Sequence, residues 1–335
     1  MKKLLLVYGL LVATFLAYIW YFVLREERPN GWNEGATGLT GGIEEKYVMV
    51  TFQSSLDYWR SSMKGFEDAA QQLNVSVEFR GATQYDPNEE ITVLEKVIAR
   101  KPAGIAVTAI NPEALNPAID KAVAAGIPVV LFDSGAPKSK AYAFLGTDNY
   151  DAGAQAAREM GRRLGGQGKV AVVTQPNQLN HQDRTRGFEE TLRKEFPGMS
   201  IAAVADGKGD ILVSAQATEK ILDEHPDVDG FFATQANGGA GIAQALQDRG
   251  LEGRKTVIGF DTDKGTLDLV RSGEIDATLA QGTWNMGYWS LLSLFHLSHG
   301  IVAEGKQEGS HPIPPYMDTG ITIVTRDNVD DYYAK

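Results

Sequence analysis

A chain of 335 residues exceeds what one hydrophobic core comfortably holds, so two domains are expected. Its 43 acidic residues outweigh 32 Lys and Arg, and the net charge of -11 repels phosphate backbones and excludes nucleic acid as the main partner. The absence of cysteine removes disulfides, thiol catalysis and cysteine-ligated metals.

In chain order, the first feature is apolar. Lys2-Lys3 precedes an uncharged run over residues 4–24, which as a helix reaches across a bilayer core of about 30 Å. A cleaved signal peptide has a shorter apolar region ending in a small-x-small site. Here the run continues through Tyr18-Ile19-Trp20-Tyr21-Phe22 into Arg25-Glu26-Glu27-Arg28. One uncleaved transmembrane anchor at 1–27 is therefore expected, with the globular part outside the cytoplasm; a long signal peptide is the alternative. Gly9, Ala13 and Ala17 recur every fourth residue in the run, a row that allows another membrane helix to approach. Residues 28–45, rich in glycine, read as a flexible tether.

From Lys46 onward strand and helix signals alternate. Strands are expected at 47–51, 75–79, 105–108 and 129–132, with helices at 58–73, 88–100 and 113–125 between them. A second series follows, with helices at 151–164, 182–195, 212–224 and 241–249 and strands at 170–174, 201–205, 230–233 and 257–260. Such alternation implies right-handed crossovers and parallel sheets, and its restart midway implies two domains of one design. Two corresponding apolar runs end in aspartate: Ile127-Pro128-Val129-Val130-Leu131-Phe132-Asp133 and Thr256-Val257-Ile258-Gly259-Phe260-Asp261. Polar residues at strand carboxyl ends line the crevice where open α/β sheets bind ligands. Two such sheets facing each other would aim two carboxylates at one molecule.

Other motifs fail on inspection. Gly165-Gly166-Gln167-Gly168-Lys169 lacks the hydroxyl residue and the following helix of a phosphate loop, and Gly239-Ala240-Gly241 lacks the third small residue of a dinucleotide turn. Asp261-Thr262-Asp263 begins like a calcium loop, but Gly265 comes one place early and Ser272 stands where a glutamate is needed. His296 and His299 have no third ligand in view. No metal or cofactor is expected.

The ordered set Pro102-Ala103-Gly104-Ile105, Ala125-Gly126-Ile127-Pro128, Gly146-Thr147-Asp148-Asn149, Arg184-Thr185-Arg186-Gly187-Phe188, His225-Pro226-Asp227-Val228 and Val257-Ile258-Gly259-Phe260-Asp261 resembles the periplasmic sugar-binding proteins of the ribose-binding type. The resemblance runs from about Lys46 to the carboxyl end. It implies an α/β fold of the periplasmic binding protein type I, two doubly wound parallel-sheet lobes joined by a three-strand hinge and closing on a monosaccharide. Crossings are implied near 147–149, 281–282 and 315–318. The amino-terminal lobe would then comprise 46–148 plus 282–315, and the carboxyl-terminal lobe 149–281 plus 316–335.

Carried over by position, Tyr58 and Trp59 fall on the aromatic stackers, Asp133 and Asp261 on the two carboxylates, and Gln235 and Gln281 on the amides. Being adjacent on one helix, Tyr58 and Trp59 should not both face the ligand. Ser134 stands where the family commonly has an arginine, and a second arginine contact falls at Gln182 or Arg184. Asn180, Asn237, Asn285 and Trp284 are further candidates. Neutral sugars suit this set, because carboxylates and amides bridge hydroxyls while aromatic faces cover C–H surface.

The expected function is an extracytoplasmic solute-binding protein that closes on a monosaccharide and delivers it to an ABC transporter permease. A pentose is favoured, with xylose, ribose or a hexose as candidates. The alternative is a sensor presenting the sugar to a membrane histidine kinase of a two-component system. An enzyme is not expected: Asp133 and Asp261 could formally serve as paired carboxylates, but lobes closed on a free sugar leave no exit for a leaving group. A repressor of the same core is excluded because no basic helix-turn-helix precedes it.

Overall fold

The computed structural model describes residues 39–301 and 312–333, together with 14, 15 and 18. Among the described residues no helix is long and apolar enough to cross a membrane. The anchor expected at 1–27 lies outside them but for those three positions. From Gly41 onward the chain forms one compact unit.

Its first half reads β1 (Lys46–Thr51), α1 (Trp59–Leu73), β2 (Ser76–Gly81), α2 (Pro87–Ile98), β3 (Gly104–Val107), α3 (Pro112–Ala124), β4 (Val129–Phe132) and β5 (Phe144–Gly146). The second half reads α4 (Asn149–Arg163), β6 (Gln167–Thr174), α5 (Leu179–Glu195), β7 (Gly198–Asp206), α6 (Ile211–Glu224), β8 (Val228–Ala233), α7 (Ala236–Asp248), β9 (Thr256–Phe260), α8 (Lys264–Ser272) and β10 (Ala277–Gln281). The chain then returns through α9 (Thr283–Ser298), β11 (Tyr316–Asp318) and β12 (Ile321–Val324).

Two six-stranded sheets result, ordered β11-β5-β4-β3-β1-β2 and β12-β10-β9-β8-β6-β7. The two orders are the same design. All pairings are parallel except that of β12 with β10. Parallel strands buried on both faces need unbroken apolar runs, and β3 and β4 are buried at every position. In β8 the adjacent Phe231 and Phe232 point to opposite faces, each into its own core cluster.

Two helix pairs set the frame for the cleft. In the first lobe α1 packs on α9 through Gly65 and Gly287: an added Cβ would stand 2.1 Å from Trp284 O and 1.8 Å from Ser62 O, respectively. In the second lobe α4 packs on α5 through Gly153 and Gly187, with the same clashes at 1.9 Å from Arg184 O and 2.0 Å from Tyr150 O. Only hydrogen fits at these backbone approaches. The amino-terminal turns of α1 and α5 are thereby held at the carboxyl edges of their sheets.

Three strands of chain pass between the lobes, after β5, after β10 and after β11. They bond to one another, Thr319 N–H donating to Gly146 O at 3.0 Å and Gly282 N–H to Gly320 O at 3.1 Å. The third passage lies at Thr319-Gly320, beyond the boundary expected between 315 and 316. Tyr316–Asp318 still pairs with β5, helped by Tyr316 stacking on Phe144 with ring centroids 6.0 Å apart. The folded part also begins at Gly41 rather than 46, because Gly41 N–H donates to Leu73 O at 2.7 Å and Glu45 pairs with His299 at 3.1 Å.

Candidate functional site

The carboxyl ends of both sheets face one cavity of about 450 Å³ between the lobes. At its floor the two strand-end aspartates repeat each other's geometry. Asp133 follows β4 with φ 59° and its N–H donates to Leu145 O at 3.1 Å; Asp261 follows β9 with φ 70° and its N–H donates to Leu279 O at 2.8 Å. Left-handed backbone costs a non-glycine residue energy, least for Asp and Asn, and strain of this kind is kept where a side chain must be aimed. Both carboxylates are buried and line the cavity.

One hydrogen-bond chain joins the aspartates. Thr147 Oγ1 and Arg184 each donate to Gln281 Oε1 at 2.9 Å, which fixes the amide so that its nitrogen faces the other way. That Nε2 donates to Asp261 Oδ1 at 2.6 Å and to the Tyr58 hydroxyl at 3.0 Å. Tyr58 in turn donates to Asp133 Oδ1 at 2.5 Å, and Thr108 Oγ1 donates to Asp133 Oδ2 at 3.3 Å.

Arg184 supplies the counter-charge. The residue is 2 % exposed, and its guanidinium lies 3.8 Å above the centre of the Phe260 ring and donates to Asn149 Oδ1 at 2.9 Å and Thr234 O at 2.8 Å. Burial pushes Asp261 up to about 6, against the pull of Arg184 and of Gln281. Burial likewise raises Asp133, offset by the Tyr58 hydroxyl and Arg184, and raises Tyr58 well above the ordinary phenol range.

Of the residues expected from sequence, Tyr58, Trp59, Asp133, Arg184, Gln235, Asp261 and Gln281 meet at this cavity. Both aromatics line it, contrary to the expectation for adjacent helix positions. Tyr58 sits at the cap ahead of α1, and Trp59 is held inward by its indole N–H, which donates to Phe52 O at 2.9 Å. Ser134 and Gln182 are corrections. The Ser134 hydroxyl turns back to donate to Ala109 O at 2.9 Å, because the left-handed turn at Asp133 redirects the chain. Gln182 is exposed and donates to Pro176 O at 2.7 Å; two residues before Arg184 on a helix, it falls on nearly the opposite side. Of Gln182 and Arg184, it is Arg184 that lines the cavity.

Asn180 and Asn237 reach the cavity, whereas Asn285 donates to Thr319 O at the crossing and Trp284 bonds Asp68 on the surface. Asp263 caps α8, its Oδ1 accepting from Thr266 N–H at 3.1 Å, which accounts for the calcium-like spacing. Among the described residues no cluster of three His, Asp or Glu could hold a metal. Phe52, Tyr85, Gln178, His181 and Lys208 also line the cavity and were missed. Phe52, which directly follows β1, could have been found by the rule that located the aspartates, the carboxyl ends of strands.

Comparison with known proteins places these features in a family. The model for the periplasmic binding protein domain matches residues 47–300. The structure of a sugar-binding protein of a sugar ABC transporter from Bacillus halodurans is 59 % identical, with a TM-score of 0.83 over 86 % of this chain and 100 % of that one. AraP, an arabinose-binding protein from Geobacillus stearothermophilus, is 62 % identical, with a TM-score of 0.80 over 87 % and 99 %. The xylose/arabinose-binding protein XylF of Sulfolobus acidocaldarius is 24 % identical over 86 % of this chain and 72 % of its own length.

Proposed function

The chain belongs to the periplasmic binding protein family, and from that premise we propose that it is an extracytoplasmic receptor that closes on a free pentose, arabinose foremost, for uptake by an ABC transporter. The observation that carries this reading is the pair of strand-end aspartates, Asp133 and Asp261, set at one cavity with Arg184, whose charge acts on both. Gln235 adds a buried amide nitrogen on the cavity wall with no partner among the described residues, a donor for a ligand oxygen. Tyr58 and Trp59 offer the aromatic surface that covers a sugar's C–H face.

The site residues of this reading are Tyr58, Trp59, Asp133, Arg184, Gln235, Asp261 and Gln281. The aspartates act as hydrogen-bond acceptors and not as an acid and a base, in keeping with relatives named for binding sugars. Uptake is favoured over sensing because the Bacillus halodurans relative belongs to a sugar ABC transporter. Residues 1–27 would tether the receptor to the membrane, and the hinge would be the three passages after β5, β10 and β11.

A thermal-shift series on the full chain tests the reading. Arabinose at about 100 times its dissociation constant should stabilise the fold by about 2.7 kcal/mol, with xylose and ribose giving smaller shifts at the same concentration. No shift with any pentose would overturn it.

A further inference from the structure

His181 lies in the first turn of α5, 4 % exposed and on the cavity wall. Its Nδ1 stands 3.1 Å from Thr234 O and 3.0 Å from Thr234 Oγ1. A carbonyl oxygen can only accept. The Thr234 hydroxyl spends its hydrogen on Thr174 Oγ1 at 3.0 Å, so it too presents a lone pair to the ring. Both neighbours of Nδ1 are acceptors; the ring proton must therefore sit on Nδ1, and neutral imidazole then has a bare Nε2. With Nδ1 turned inward to Thr234, Nε2 is the edge left for the cavity, and it has no partner among the described residues. Burial first, and the Arg184 guanidinium second, hold the imidazole well below its ordinary value and keep it uncharged.

We infer that His181 is a specificity-determining residue of the cleft, its bare Nε2 accepting a hydrogen bond from one particular hydroxyl of the bound sugar. The inference rests on the sugar-binding reading above. Asp133 and Asp261 are carboxylates with two oxygens each and can bridge neighbouring hydroxyls in more than one arrangement. A single neutral ring nitrogen, locked by Thr234, accepts at one point along one direction. A ligand without a hydroxyl there leaves Nε2 desolvated and unpaired, the arrangement by which sites built to bond a hydroxyl reject analogues that lack it.

Titration calorimetry on the full chain tests this with D- and L-arabinose, then with the monodeoxy analogues of the tighter-binding enantiomer. For the unmodified chain one monodeoxy analogue should lose about tenfold or more in affinity relative to arabinose. Against His181→Phe arabinose itself should lose about tenfold, and that same analogue should bind no worse than arabinose. His181→Gln, which presents an amide oxygen near the place of Nε2, should recover part of the loss. His181→Asn keeps a nitrogen near Thr234 but reaches no further, and gives the same result as the phenylalanine variant should that one unfold. Unchanged arabinose affinity in the Phe and Asn variants, or analogues losing equally against every variant, would overturn the role of His181 alone. Failure of both enantiomers to bind the unmodified chain would overturn the arabinose reading and this inference with it.

Discussion

Asp261 is buried within reach of the charge of buried Arg184, and the balance between burial and that charge sets a pH window. Its carboxyl is pushed up to about 6 in the folded protein, above the ordinary carboxylate value, by burial that Arg184 and Gln281 only partly offset. A carboxyl with a raised folded value favours the fold while it is protonated, and that advantage is lost as pH rises through about 6. At neutral pH the unliganded protein therefore holds an ionised group its interior disfavours. Asp261→Asn should be more stable than the unmodified chain at pH 8, by about 1–3 kcal/mol, and should lose that advantage at pH 4. The same variant should bind arabinose at least tenfold more weakly, since a charge-assisted acceptor is gone. Scanning calorimetry at the two pH values, paired with titration calorimetry, checks both; a variant less stable at both pH values contradicts the argument. Asp133 and Asp261 were legible in the sequence because each ends an apolar run. His181 was not: it faces inward because the first turn of α5 lies against the end of β8, where Thr234 meets its ring, and no periodicity in that polar helix announces the contact.

Elements differ in legibility for the same reason. β3 and β4 and the greater part of β1, β8 and β9 are buried, mostly apolar runs because helices cover both faces of their sheets, so they stand out in the sequence. β5 and β11 are three residues each and held by backbone pairing and one ring stack, and β12 is four residues of which only Val324 is buried. The helix pairs are legible only as isolated glycines, whose meaning emerges when the partner backbone is seen. Gly187→Ala would drive a Cβ to 2.0 Å from Tyr150 O, so α5 must lift away from α4. Overpacking of this kind should destabilise by about 1–3 kcal/mol. Arg184 is one turn away on the same helix, so the lift should also weaken arabinose binding. Gly135→Ala, whose Cβ meets Phe144 at an ordinary 3.4 Å, serves as the control and should leave both nearly unchanged. Chemical denaturation and calorimetry on the two variants separate the cases; equal stability of the two would show that the glycine contacts are dispensable.

At the scale of the whole molecule, the lobes meet in two kinds of place. The three crossing strands bond to one another at one side of the cavity. Away from them, among the described residues, the side-chain hydrogen bond from Gln178 Nε2 to the Tyr85 hydroxyl spans from the cap of α5 in the second lobe to the loop before α2 in the first. Tyr85 is steadied by an edge contact with Phe52, ring centroids 5.7 Å apart, so its hydroxyl is presented and not merely exposed. Periplasmic binding proteins close by hinge motion around their ligands, and a ligand favours closure only by the contacts it makes in that state alone. A bond across the cavity acts in the same direction as the ligand. Its loss should speed opening and leave encounter unchanged, because the open protein never makes it. Tyr85→Phe removes the hydroxyl and keeps the ring against Phe52; the arabinose dissociation rate should rise about three- to tenfold while the association rate stays within a factor of two. Stopped-flow mixing measures both rates. Small-angle scattering on the same samples should show a smaller radius of gyration with saturating arabinose in both proteins, the variant needing more sugar to reach it. A variant that loses affinity through slower association instead would show that Tyr85 guides entry and does not hold the lobes shut.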